Sequence, residues 1–486
     1  MLRTSMASTT SRLCHSAVLL VAGCVGEPKD PPAPPHHDSR PTGLATPCTA
    51  EPILAQIHLL GDETADEAGR SVDVGDLDSD GCDEVLVASP WSGGTYGDRD
   101  GHSAVYVLRQ PFADGYLVDT AFATFVGSGG LDYWGLPSGL LTATGQVVIE
   151  GVGADEGFAR PWLFDLPTSW TRAPIPAAAA DAAVDVPVED VAFGIGANFL
   201  GACSSADGTP ALCAGAINST AGLPADYAGQ VIGYALPIAS DPDAVADGAF
   251  ALSGDPLDRA EAFEGRSDLD GDGIGDLVVG APQPSTGQSG RVAIVLSVPA
   301  GPSRLWDVAD AVLTGVTVNA SFGQEVQPGD LDGDGQVDVF VGAAFGDLGE
   351  AFVFLGPFTG ERSADAAEYR ITGGRADEWL GFQGSIADFD GSGSADLAVS
   401  APWSYYLGAQ PGRVLLWTDA RSGTYDVDSA PILLDSGAVG ADCFGMSMAS
   451  GDFDGDGLAD LAIGAPCDST YFDHGGSATL VFGASL

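Results

Sequence analysis

Five short stretches carry the residues that could do chemistry, and all five are acidic. In DLDGDGIGDLVVGAP, Asp268, Asp270, Asp272 and Asp276 stand at positions one, three, five and nine, with Gly273 at position six. Alternate aspartates in a tight turn can converge on one point, and hard divalent cations take roughly six to eight oxygen ligands, a backbone carbonyl at position seven among them. Position seven here is Ile274. A residue without Cβ at position six permits the sharp turn. The apolar run LVVGAP follows at once and leaves no room for the exit helix of an EF-hand, so a strand-loop-strand calcium site is expected.

The pattern recurs four times. Asp76, Asp78, Asp80, Cys82 and Glu84 fill positions one, three, five, seven and nine of the earliest copy; Asp330, Asp332, Asp334, Gln336 and Asp338 fill those of the third. The fourth copy has Asp388, Asp390 and Asp396 with Ser392 at position five, and the last has Asp452, Asp454, Asp456, Leu458 and Asp460. Alternating Asp-Gly pairs are often mere polar turns. Five copies in one register, each followed by an apolar strand, argue instead for Ca2+ as a structural cofactor. Catalysis needs one special site, whereas these loops are repeated. Other catalytic constellations are poor. Outside the N-terminal segment the histidines are His58, His102 and His474, with no nucleophile spacing around them.

The elements that would position these loops repeat as well. Counting two copies that lack the acids, LLTATGQVVIEGVG (140–153) and GACSSADGTPALCAGA (201–216), repeats start near 76, 140, 201, 268, 330, 388 and 452. Each supplies four strand-like segments; in the fifth these are FGQEVQPG, VDVFVGAA, EAFVFLG and EYRITGG. Four short strands repeated in series signal a β-propeller. The composition agrees, with 68 Gly and 31 Pro among 486 residues. The expected fold is all-β, a seven-bladed propeller spanning 53–486. ILAQIHLLGD (53–62) has the pattern of a fourth strand and is expected to complete the last blade, removing an exposed edge. The run APIPAAAADAAVDVPVED (173–190) reads as a loop or irregular edge strand of the second repeat.

These residues resemble the FG-GAP repeat of the integrin α-subunit propeller: DxDxDGxxD, a strand ending in GAP, and FG about eight residues upstream, as at Phe322-Gly323 and Phe444-Gly445. The resemblance implies seven blades, calcium between first and second strands, and partner binding on the opposite face. The departures are the second and third repeats, expected to bind no calcium, Glu84 at position nine, and Ser392, expected to weaken the sixth loop. Neither an inserted adhesion domain nor a leg region is evident, so receptor signalling does not transfer.

Two further residue classes carry expectations. Trp91 and Tyr96, Trp403, Tyr405 and Tyr406, and Tyr471 and Phe472 follow the second strands of repeats one, six and seven. They are candidates for gripping a sugar or a protein, or for capping the core. Trp134 and Trp379 are expected to join them from connections between blades. Six cysteines, Cys48, Cys82, Cys203, Cys213, Cys443 and Cys467, allow 15 pairings. Cys443 and Cys467 are placed symmetrically about the Asp452 loop, Cys203 and Cys213 bracket the loop of the third repeat, expected to be metal-free, and Cys48 with Cys82 remains by elimination.

The N-terminus gives a compartment. Residues 1–23 read as a signal peptide with the apolar core SAVLLVAG (16–23), ending in VAGC, which resembles a lipobox with Cys24 as the lipidated residue. An ordinary cleaved signal is the alternative. Residues 24–52 are Pro-rich and polar, a tether. An exported chain anchored at the cell envelope is expected, at the outer membrane or cell surface, and monomeric. A formal charge of −50, from 68 acids against 18 Lys plus Arg, argues against nucleic acid and against anionic membrane surfaces other than through the anchor. The expected role is recognition of a protein or glycan, with a polysaccharide lyase or a purely structural scaffold as alternatives.

Overall fold

The computed structural model describes residues 19–20, 56–61, 66–90 except 79, 103–126, strand and turn segments between 133 and 236, and 249–486 except 256–257, 261, 284–286, 403–410, 419 and 438–439. Its strands form seven sheets. Helix among the described residues is confined to single turns such as Leu117–Thr120 and Leu305–Val308, and no helix is long and apolar enough to cross a membrane. The protein is an all-β propeller.

Sheet five shows the plan. Val326–Gly329, Asp338–Ala343, Glu350–Phe354 and Tyr369–Thr372 run antiparallel in sequence order. Gly423–Asp426, from between the third and fourth strands of sheet six, then adds a fifth strand parallel to the fourth. Every residue of Asp338–Ala343 and Glu350–Phe354 is buried. That is why the middle strands read as continuous apolar runs, while the fourth strands alternate. Neighbouring sheets pack face to face: Val278, Ile294 and Leu313 of sheet four share a core with Phe322, Val339 and Phe352 of sheet five. Truncating a fully buried phenylalanine in such a core costs about 3–5 kcal/mol.

The FG and GAP glycines have one physical explanation. A Cβ on Gly280 would stand 1.8 Å from the carbonyl oxygen of Gly323 in the next sheet, and one on Gly464 would stand 2.0 Å from that of Gly69. The second strand of one sheet thus meets the FG turn of the next through bare backbone. Gly323 itself has φ +90°, which side chains rarely adopt.

Six sheets follow this four-strand plan with a parallel fifth strand; the sheet at 133–187 does not. Its first strand, Tyr133–Leu141, pairs with Gln146–Val152 through two register shifts, and its outer edge is two fragments, Ala182–Ala183 and Val186–Pro187, both on Phe158–Asp165. The expectation of seven blades is therefore corrected to six, beside which stands one irregular sheet. The prolines of the 173–190 run, Pro174, Pro176 and Pro187, lack the amide that an unbroken outer strand would donate. Part of that run, Ile175–Pro176, instead covers Ala123–Val126 of sheet one. The N-terminal strand Gln56–Leu60 pairs antiparallel with Ser477–Val481 of the last sheet.

Candidate metal centres

All five acid loops join a first strand to a second, so they emerge at one end of their sheets. In each, the carboxylates of positions one, three and nine have ligand oxygens within 4.8 Å of one another: Asp76, Asp78 and Glu84; Asp268, Asp270 and Asp276; Asp330, Asp332 and Asp338; Asp388, Asp390 and Asp396; Asp452, Asp454 and Asp460.

Three devices hold each trio. Position two is a buried apolar pin, with Leu77, Leu269, Leu331, Phe389 and Phe453 all in the core. Its amide donates to the position-nine carboxylate, from Leu269 to Asp276 at 2.6 Å, Leu331 to Asp338 at 2.9 Å and Phe453 to Asp460 at 2.8 Å. Position one accepts from turn amides, Asp268 from Gly271 at 2.7 Å and Gly273 at 2.8 Å. Gly273 has φ +87°, as position six requires.

Position five orders the turn. Its carboxylate stands outside the trio and accepts the amide of position seven: Asp272 from Ile274, Asp334 from Gln336 and Asp456 from Leu458, each at 2.8 Å. Asp80 accepts from Cys82 at 3.0 Å. Ser392 does the same work in the sixth loop, its Oγ accepting from Ser394 at 3.2 Å. The serine keeps this turn bond but offers no second carboxylate oxygen.

The residues present fit a hard cation. Oxygens Oδ1 of Asp78, Asp276 and Asp388 are buried without a hydrogen-bond partner, and such atoms call for an ion or its equivalent. Burial, followed by repulsion from neighbouring loop acids, pushes the carboxyls of Glu84 to about 8, Asp276 and Asp338 to about 6, and Asp460 to about 7. A bound divalent ion would neutralise these clusters and hold the position-nine acids ionised.

Loop one contains a cation of its own. Arg109 Nη1 lies 2.8 Å from Asp78 Oδ2, and the guanidinium carbon sits 3.4 Å from the Phe122 ring centroid. The Asp78 carboxyl is still raised, by burial first and then by Asp80, against the pull of Arg109.

The loops also touch round the ring. Asp83 N donates to Asp452 O at 2.8 Å, joining loop one to loop seven, and Ala459 N donates to Asp388 O at 3.0 Å, joining seven to six. Asp83 Oδ2 accepts the Asp452 amide at 2.9 Å.

The hairpin Leu200–Ala216, which lacks the acid trio, is closed by a Cys203–Cys213 disulfide, and Cys443–Cys467 is likewise bonded. Cys82 is disulfide-bonded; Cys48, the partner expected for it, and the lipidation candidate Cys24 lie outside the described residues. So do Trp91, Tyr96, His102, Trp403, Tyr405 and Tyr406. Trp134 lies within a strand rather than a connection. Trp379 caps the interior, 4.7 Å from the Phe345 ring and stacked 5.8 Å from Phe382. Tyr471 is 39% exposed, and Phe472 leans on Tyr116 at 6.3 Å. His474 is a surface residue beside Asp473.

Three segments match the family described as FG-GAP repeat, residues 68–108, 266–295 and 444–479; each contains an acid loop and its following strand. Integrin alpha-E of Mus musculus is 32% identical over 166 residues, covering 32% of this chain and 14% of the relative. Integrin alpha-7 of Rattus norvegicus is 30% identical over 200 residues, 40% and 16%. Phosphatidylinositol-glycan-specific phospholipase D of Rattus norvegicus is 36% identical over 163 residues, 30% and 19%. The chain thus spans less than a fifth of each relative's length. It carries FG-GAP repeats and, over the matched part, is integrin α-like.

Proposed function

We propose that this chain is a calcium-stiffened FG-GAP recognition module displayed outside the cell, binding a protein or glycan on the face away from the acid loops. The observation that carries the reading is the fivefold recurrence of one acid trio at one place in the fold. A site repeated round a ring is a fastener, and specific recognition is left to the variable loops at the other end. Calcium in the five loops would replace repulsion between acids by shared attraction.

In this reading the six blades and the irregular sheet stand side by side in one ring. Supporting it, inner strands neighbour one another in series: Val72–Gly75 adjoins both Tyr133–Leu141 and Ser447–Gly451, and Leu200–Ser204 adjoins Tyr133–Leu141. Leu480 and Ala462 share a core with Val85 and Tyr106 across the join. The N-terminal strand locks the ring, so deleting 53–61 lowers the melting temperature more than trimming a frayed end. Export with anchoring through Cys24 completes the proposal. No enzymatic role is assigned, since the similarity to a phospholipase D reaches only 19% of that enzyme.

Glycan and protein arrays probed with the wild type and with Trp403→Ala and Tyr471→Ala test it. A specific ligand lost in either variant supports recognition. Turnover of a ligand would install an enzyme in its place, and silence with intact calcium binding would leave a scaffold.

A further inference from the structure

The fourth strands present a pattern that the repeats alone do not reveal. A fourth strand is the outermost of its blade, and its free backbone edge must be satisfied or it invites pairing with other chains. In five regular blades the next sheet along the chain supplies the cover, always parallel and always from between its third and fourth strands. Gly301–Arg304 covers Phe250–Ser253, Gly360–Ser363 covers Ala311–Thr314 and Gly423–Asp426 covers Tyr369–Thr372. Ile175–Pro176 covers Ala123–Val126, and Gly115–Tyr116 covers Leu59–Leu60.

The sixth blade breaks the rule. Its outer strand, Ile432–Leu434, should be covered from between Ser477–Val481 and Gln56–Leu60, the third and fourth strands of the last blade. The residues after Val481 turn instead into a 3-10 coil, Gly483–Ser485, pinned by Gly483 N on Asp460 at 2.8 Å. The strand that occupies the edge is Leu19–Leu20, with Leu19 opposite Ile432 and Leu20 opposite Leu433. That segment lies far upstream, inside the apolar core of the leader.

We infer that the free edge of Ile432–Leu434 is a strand-acceptor site for a short, extended apolar segment of a partner protein, and that the leader fills it only while it remains attached. The inference rests on the proposal that the chain is exported and the leader removed. Removal leaves one blade of the ring without its cover, and the row of amides and carbonyls takes a partner by β-augmentation. The direction is set. Fourth strands start at the acid-loop end, so a parallel guest enters with its N-terminal end on that face. Leu433, half-exposed between buried Ile432 and Leu434, favours an apolar guest over the polar covers GPSR, GERS and GTYD used elsewhere.

The test uses exported protein whose N-terminus is read by intact mass, with the peptide SAVLLVAG (16–23) as probe. Amide exchange over 431–435 should be fast in the processed chain and slow by at least tenfold when the peptide is added. A peptide carrying Leu20→Pro, as apolar but lacking one amide, should give no protection, and neither should the wild-type peptide on Leu433→Pro protein. Protection of 431–435 without added peptide, whether by a retained leader, another segment of the same chain or a dimer seen by light scattering, would overturn the assignment. Equal protection by both peptides would overturn it too. Calcium binding is measured on the same samples, so a failure of the propeller reading is seen separately.

Discussion

The hairpins Leu200–Ala216 and Ser447–Ala465 occupy the same place in their sheets and are held by different chemistry. The first has a covalent bridge between Cys203 and Cys213 and a small turn in which Asp207 accepts from Ser205 Oγ at 2.7 Å and from Thr209 N at 3.1 Å. Those bonds, from Ser205 first, bring the exposed Asp207 carboxyl down to about 2. The second has three carboxylates gathered on buried Phe453, with Asp460 driven up to about 7 by burial. One is complete as it stands; the other is a cluster of like charges awaiting a cation. The same hairpin can thus be fastened by either chemistry.

Chelation should separate the two most strongly. Loosely held extracellular sites have dissociation constants of ~10⁻⁴ to 10⁻³ M, so millimolar calcium adds about 1 kcal/mol per loop by mass action. Five loops together should shift the melting temperature by on the order of 5 °C for a domain this large. In hydrogen exchange, 268–276, 330–338, 388–396 and 452–460 should lose protection while 203–213 keeps it. Uniform loosening of all hairpins, or no change at low ionic strength, would remove the distinction. The reciprocal change is smaller. Cys203→Ser with Cys213→Ser should lose about 3 kcal/mol, the chain-entropy value for a loop of this length. The loss should be the same with and without calcium, as differential scanning calorimetry would show.

How far this contrast was legible beforehand depended on length scale. The acid loops and the Cys203–Cys213 disulfide follow from spacings under about a dozen residues, where the chain itself enforces proximity. Gln56–Leu60 was readable because its alternation matches the other fourth strands. The cover strands were not, since GPSR or GERS is too short and polar to show a period, though the glycine that opens each was a usable sign. The position-two pins were in plain view as DLD and DFD. The second sheet deceived because strand three keeps its pattern, Phe158–Asp165, while the outer edge fragments. The closer convergence of positions one, three and nine was not readable, because alternate aspartates look equivalent in sequence and the turn sets their spacing.

Arg109 is the subtlest case, and it places loop one between the two extremes. Its partner Asp78 lies 31 residues away, joined through the third strand, so no local spacing announces it. The guanidinium is pinned between Asp78 and the Phe122 ring, with side-chain exposures of 19% and 8% for the pair. A cation already in the cage does part of the work of calcium and competes with it. Arg109→Gln should therefore act with opposite signs in two measurements. Without calcium it strands a partly buried Asp78 beside Asp76 and Glu84, costing about 1 kcal/mol after allowance for solvent. With calcium it frees an oxygen of the trio, so calorimetric titration should find one site tightened several-fold and four unchanged. If the variant bound no more tightly while losing the same stability in both conditions, Arg109 would be a packing residue alone, and loop one would belong with its four acid counterparts.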